Sequence, residues 1–217
     1  YFTDLNNNPN SKTDLNLRRA WELNYKNGIP GLKAQLKVEN FQTLDKTVSD
    51  EDRPYARLPQ FLLNYKTGNP LGLQYEFNHD TAYFKKDISD ASNGTSTTFE
   101  PSGTRIYNDF AVRYNYRNPW SFVIPEVSIR NINTFYDQDT INSNQNTNSS
   151  DEKQSVTVPQ FTLDTGLTFE KDGKYLQTLT PRAFYAYAPY RNQTGHPNFD
   201  SATASINYDQ LFSARRF

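Results

Sequence analysis

The chain has 217 residues, 35% hydrophobic and 15% aromatic, and contains no cysteine, which excludes an internal disulfide and any thiolate nucleophile or metal ligand. Its 23 basic and 24 acidic residues leave a net charge of -1, so electrostatics offer no case for nucleic acid as a partner. A mean hydropathy of -0.86 and the lack of any run of about eighteen apolar residues exclude a spanning helix. They do not exclude a membrane β-barrel, whose strands need apolar residues on one face only.

Taken in chain order, apolar/polar alternation predicts eight strands of roughly ten to fifteen residues, beginning near Leu15, Leu32, Tyr55, Leu71, Arg105, Phe122, Ser155 and Leu176. The connections alternate in length: residues 26–30, 66–70, 117–120 and 171–175 are short links, whereas 45–54, 86–104 and 137–154 are long and polar. This rhythm predicts an all-β, antiparallel up-and-down transmembrane β-barrel segment, with short turns on the periplasmic side and long loops outside. Tyr1 and Phe217 then both fall on the outer side. A free-standing barrel keeps its termini in the periplasm, so residues 1–217 are expected to be about eight strands of one larger barrel domain. Residues 1–13 show neither the basic start nor the apolar run of a signal peptide, so export is expected to depend on sequence elsewhere.

The first run sets Leu15, Leu17, Trp21, Leu23 and Tyr25 against Asn16, Arg18, Ala20, Glu22 and Asn24, broken only by Arg19. The second sets Leu32, Ala34, Leu36 and Val38 against Lys33, Gln35, Lys37 and Glu39. The fourth sets Leu71, Leu73, Tyr75 and Phe77 against Gly72, Gln74, Glu76 and Asn78, and the fifth sets Ile106, Phe110, Val112, Tyr114 and Tyr116 against Asp109, Arg113, Asn115 and Arg117. Soluble sheets with one wet face also alternate, but their strands are usually near five or six residues. Aromatic residues form two candidate girdles. Tyr25, Tyr65, Tyr116, Trp120 and Tyr175 lie beside the short turns; Phe41, Tyr55, Tyr83, Phe84, Phe135, Tyr136, Tyr187 and Tyr190 lie toward the long loops.

Residues 138–154 read as a solvated loop rich in Asn, Ser, Thr and Gln. The run Ser49-Asp50-Glu51-Asp52 lacks the ligand spacing and turn glycine of a calcium loop and reads as a solvated charge run. Four prolines, Pro59, Pro125, Pro159 and Pro181, fall inside predicted strands, where each removes a ladder donor and favours a bulge or bend.

Two of these prolines lie in related segments, Leu58-Pro59-Gln60-Phe61 and Val158-Pro159-Gln160-Phe161. From the second of them onward, through Gln177-Thr178-Leu179-Thr180-Pro181-Arg182-Ala183, Ala188-Pro189-Tyr190-Arg191-Asn192-Gln193, Asn198-Phe199-Asp200-Ser201 and Tyr208-Asp209-Gln210-Leu211-Phe212, the chain closely resembles the LPS-assembly LptD family. Tyr1-Phe2-Thr3-Asp4-Leu5 also resembles a family segment between early strands; between Leu15 and Thr140 the match is mostly one of strand pattern. The resemblance implies the early-to-middle part of a large outer-membrane barrel that inserts lipopolysaccharide into the outer leaflet, with the lipoprotein LptE inside the barrel. It further implies a periplasmic jellyroll, outside this segment, that joins a periplasmic transport bridge. It implies no catalysis.

The residues agree with that implication, because the two histidines, His79 and His196, are isolated and no Ser/His/Asp arrangement follows from spacing. No cofactor or metal site is expected. The polar face is expected to line a hydrated lumen, with Lys33, Lys37, Arg113, Arg117, Arg130 and Arg182 as candidate contacts for phosphate or saccharide. The competing role for these cations is neutralisation by carboxylates on the same face, with Asp109, Glu126 and Asp164 expected to pair with Arg113, Arg130 and Arg182. The alternatives from other classes are a passive porin-like or nutrient-transport channel wall, and a soluble all-β module that binds glycans through its long loops.

Overall fold

The computed structural model describes residues 16–44, 53–69, 71–86, 101–137 and 153–192, together with Phe199. Leu15 as a strand start, the run Ser49–Asp52, His196, the loop body from 138 and the placement of both chain ends all lie outside the described residues. Those residues form strands throughout, with no helix: β1 (Asn16–Lys26), β2 (Leu32–Thr43), β3 (Ala56–Gly68), β4 (Leu73–Lys85), β5 (Gly103–Tyr114), β6 (Tyr116–Arg117), β7 (Ser121–Tyr136), β8 (Lys153–Leu167), β9 (Phe169–Lys171), β10 (Gln177–Leu179) and β11 (Arg182–Tyr187). The main sheet is an antiparallel meander in the order β1-β2-β3-β4-β5-β7-β8-β11, with β6 also on β7 and β9 paired with β10. The expected eight-strand antiparallel pattern is therefore present, as an open sheet with β1 and β11 at its edges and not as a closed barrel. Long strands of 11 to 16 residues dominate. The last predicted run, expected to be continuous from Leu176, is instead split into β10 and β11.

Each short connection is held by backbone geometry that its residues make accessible. Asn27 and Gly31 adopt φ of 67° and 80° in the β1–β2 turn, conformations tolerated best by Asn and Gly. Gly31 also accepts a hydrogen bond from the Lys66 amide at 2.9 Å, and a Cβ there would lie 1.9 Å from the Lys66 carbonyl oxygen. In the β3–β4 turn the Asn69 side-chain oxygen accepts from the amides of Leu71 and Leu73 at 3.1 and 3.0 Å, an Asx-type closure.

The four strand prolines sit where ladders break. Pro59 lies within the register shift between Arg57 and Gln60 of β3, a β-bulge that opposes both neighbouring strands. Pro125 keeps its register with Leu163 of β8, while on its other side the partner strand is interrupted at Asn115, between β5 and β6. The ladder between β8 and β11 stops at Phe161↔Tyr187, short of Pro159, and Pro181 separates β10 from β11. The expected bulge thus occurs at Pro59 alone; elsewhere the missing N–H is accommodated by ending a ladder on one side.

Register assigns each residue to a face. One face carries Trp21, Leu23, Leu36, Phe61, Tyr75, Phe110, Val127 and Ile129, with Trp21 57% and Val127 54% exposed. The opposite face carries Glu39, Gln60, Asp109, Ser128, Gln160 and Thr162, all buried. Polarity is thus inverted relative to a water-soluble domain. Past a row through His79, Asn108, Asn131 and Thr157 both faces become mixed: the formerly apolar face carries Thr81, Asn133 and Ser155 beside Ile106, Tyr83 and Phe135, and the other carries Ala82, Ile132 and Val156 beside Asp80, Arg105 and Thr134. Among the described residues one buried aromatic cluster lies toward the long-loop ends, where Phe84 stacks on Phe199 at 4.5 Å with 4° between ring planes and Tyr55 meets Phe199 edge-on at 5.1 Å.

The turn-side girdle residues Tyr25, Tyr65, Tyr116, Trp120 and Tyr175 are all exposed. The loop-side girdle needs correction: Tyr55 and Phe84 are buried in the cluster, Phe84 because it shares the parity of Asp80 and Ala82 on the face of Gln60. His79 lies in the middle of β4, with the parity of Leu73, Tyr75 and Phe77.

Gly31→Ala is expected to destabilise a full-length family member carrying this sequence by about 1–3 kcal/mol, through positive φ and the clash with Lys66. Gly173→Ala, whose Cβ would meet no atom closer than 3.9 Å, should stay within about 0.5 kcal/mol. Urea titration of both variants checks the difference.

Candidate functional site: the ionic face

Antiparallel register brings cations and carboxylates from adjacent strands into contact on the polar face. Glu39 of β2, 3% exposed, is the most heavily used carboxylate. Lys37 Nζ lies 2.7 Å from its Oε2 and Arg57 of β3 donates to the same oxygen at 2.9 Å, while Arg18 of β1 donates to Oε1. Arg18 also donates to Glu22 at 3.1 Å. Arg57 reaches this face through the bulge in β3; unbroken alternation would have put it on the side of Phe61.

A second group spans β5 to β11. Arg113 donates through Nε to Glu126 at 2.7 Å, Arg130 Nε stands 3.8 Å from Asp109, and Arg182 forms a bidentate pair with Asp164 at 2.8 and 2.7 Å. Between the groups run amides and weaker pairs: Gln60 donates to Asp80 at 3.0 Å, Asn64 to Asn78 at 2.6 Å, and Lys66 lies 3.7 Å from Glu76. A groove of about 450 Å³ opens beside Asn24, Lys33, Gln35, Asn64 and Asn78.

Of the six cations singled out from sequence, Lys37, Arg113, Arg130 and Arg182 are held by carboxylates on the same face. Lys33 lines the groove, with no carboxylate within ion-pair distance among the described residues. Arg117 donates to the Asn115 side chain at 3.1 Å and its guanidinium lies 5.2 Å from the Phe122 ring. The six are therefore spread along the face rather than gathered into one pocket. Sequence reading missed Arg18, Arg57 and Arg105 as members of this face. Arg18 shares the parity of Glu22 and was accessible from alternation; Arg57 was hidden by the bulge. Arg105, 4.0 Å from Asp80 and 4.7 Å from the Phe84 ring, was read only as a strand start. The carboxylate that organises the β1–β3 group, Glu39, was visible as a polar-face residue, but its three partners needed the register.

Among the described residues no three His, Cys, Asp or Glu side chains converge as metal ligands. The chemistry of the face is that of a lining: paired charges, amides and hydroxyls that donate and accept hydrogen bonds, without a nucleophile held by a base.

An antiparallel meander with an exposed apolar face and a sheltered ion-paired one defines an all-β sheet whose two faces differ in polarity. The whole chain, residues 1–217, matches the model of the LptD family, described as LPS transport system D. It is 74% identical over its full length to the LPS-assembly protein LptD of Acinetobacter baylyi and 72% identical to that of Acinetobacter baumannii, spanning 26% of each relative. Against the LPS-assembly protein LptD of Psychrobacter cryohalolentis it is 39% identical over 231 residues, covering 98% of this chain and 22% of that protein. The chain belongs to the LptD family.

Removal of the Glu39 carboxylate leaves Lys37, Arg57 and Arg18 facing one another. In a full-length protein carrying this sequence, Glu39→Ala is expected to cost about 1–3 kcal/mol. Glu126→Ala frees only Arg113, itself 40% exposed, and should cost about 1 kcal/mol or less. Heat-dependent loss of folded electrophoretic mobility in the two variants checks the order.

Proposed function

We propose that this chain forms part of the wall of an outer-membrane β-barrel that delivers lipopolysaccharide to the outer leaflet in a Gram-negative bacterium. The observation that carries the reading is the inverted polarity of the sheet, with Trp21, Phe110, Val127 and Ile129 exposed on one face and Glu39, Asp109 and Gln160 buried on the other. A soluble monomer rarely exposes an apolar patch beyond roughly a few hundred Å², whereas acyl chains accept such a face without penalty. Family membership and the relatives' names support lipopolysaccharide as the substrate. Neither a passive porin-like or nutrient channel nor a soluble glycan-binding module is favoured.

In this reading the open edges of the sheet, β1 and β11, pair with further strands of a larger barrel. The ionic face lines a hydrated lumen that houses the lipoprotein LptE, and a jellyroll elsewhere in the parent protein connects the barrel to the periplasmic transport bridge. The short turns face the periplasm. Pairing neutralises Lys37, Arg113, Arg130 and Arg182 as wall components, while Lys33 and Arg117, without a carboxylate partner, are the lumen cations best placed for anionic saccharide.

Tryptophan installed at Phe110 of a full-length protein in chain-brominated lipid is expected to be quenched, and tryptophan at Ile132 on the other face is not; an unquenched F110W overturns the lipid-facing assignment. Charge reversal at Lys33 and Arg117 together is expected to lower surface lipopolysaccharide about tenfold, the worth of one charge-assisted contact, with normal barrel assembly. Unchanged delivery removes these two cations from the saccharide path. Reversing Arg113 and Arg130 instead sets like charges against Glu126 and Asp109, so barrel assembly itself should fall.

A further inference from the structure

The face assigned to lipid does not stay apolar along the whole strand. On β4, β5, β7 and β8 it is interrupted by one row of polar register partners, His79↔Asn108, Asn108↔Asn131 and Asn131↔Thr157, beyond which Ile106, Tyr83 and Phe135 return to the same face among polar neighbours. His79 Nδ1 and Asn108 Oδ1 lie 2.8 Å apart, and Asn131 donates through Nδ2 to Thr157 Oγ1 at 2.9 Å. Arg191, beyond β11 and exposed, donates through Nε to the Thr157 carbonyl oxygen at 3.3 Å and so extends the row by one position. On the turn side the row borders Phe77, Phe110, Ile129 and Pro159. The His79 ring stands 5.9 Å from Phe61 and 6.4 Å from Phe77.

We propose that this row is a contact site for the phosphorylated saccharide headgroup of a membrane lipid whose acyl chains lie against the apolar band beside it. The assignment rests on the lipid-facing reading above. Its chemistry is specific in three respects. Amide, imidazole and hydroxyl groups both donate and accept, which matches the hydroxyls of a sugar ring. The row contains no carboxylate to repel a phosphate. Arg191 commits only Nε to the protein, so its terminal nitrogens remain available for a phosphate oxygen pair. Four inter-strand steps of about 4.8 Å make the row roughly 19 Å long, which suits an extended oligosaccharide headgroup better than a compact phosphodiester one. A phospholipid meets the same apolar band but has no sugar hydroxyls for the amides.

The test uses a full-length protein carrying this sequence in nanodiscs of phosphatidylethanolamine and phosphatidylglycerol, with and without a bis-phosphorylated disaccharide glycolipid. Lipid retained after detergent-free washing is counted by native mass spectrometry. Arg191→Gln alone, which leaves every strand intact, and Asn108→Leu with Asn131→Leu are each expected to lower glycolipid retention about tenfold while phospholipid retention is unchanged. Equal retention in wild type and both variants overturns the site, as does a parallel loss of phospholipid, which marks a general lipid contact. Lipid quenching of F110W separates the two levels: quenched F110W with unchanged glycolipid retention overturns the row alone, and unquenched F110W overturns the lipid-facing face on which it rests.

Discussion

Antiparallel register is the constraint on which the rest of this structure depends. Side chains alternate with a period of two, so a slip of one residue between any two strands would exchange the apolar and ionic faces of everything beyond it. The ladders between β4, β5, β7 and β8 run without a shift over most of their length. That continuity keeps Phe110 beside Phe77 and Ile129 while it keeps Asp109 beside Arg130. The two faces are therefore not independent designs. The pairings that assemble an exposed apolar surface on one side place carboxylates opposite guanidinium groups on the other.

Where register does shift, the shift is used. The bulge in β3 turns Arg57 onto the polar face, where it joins Lys37 and Arg18 around Glu39 and brings its guanidinium to 6.0 Å from the Phe84 ring. One extra backbone residue thus links the ionic group of β1–β3 to the aromatic cluster. The other strand prolines serve a different end. Pro125 and Pro159 stay inside continuous strands and keep their register between β7 and β8, while Pro181 falls between β10 and β11.

The pattern of long and short connections and the faces of the first, second, fourth and fifth runs were legible, because each rests on local alternation. Paired carboxylates were legible too, since Asp109, Glu126 and Asp164 share a parity with nearby arginines. What stayed hidden depends on information that alternation does not carry. In Asp80-Thr81-Ala82-Tyr83-Phe84 the adjacent aromatics Tyr83 and Phe84 fall on opposite faces, so the girdle assignment that groups them cannot hold for both, and Phe84, on the face of Asp80 and Ala82, is fully buried. Arg57 was hidden by a bulge, and the partners of Glu39 by a register that only the assembled sheet defines. The split of the last strand at Pro181 had a visible signal, the proline itself, but proline alone does not say whether a strand will bulge, as at Pro59, or part.

The stacking of Phe199 on Phe84 has a consequence for how the sheet comes together. Every ladder in the meander joins strands close in sequence, with only the short β6 between β5 and β7 and the β9–β10 pair between β8 and β11, so each can close with a modest loss of chain entropy. The Phe84–Phe199 contact joins residues separated by the whole of β5 to β11. Its closure becomes inexpensive only after the intervening hairpins have aligned and shortened the effective path between the two rings. The aromatic cluster is then a late step in assembly, one that converts a series of locally formed hairpins into a unit whose two halves are held to one another directly.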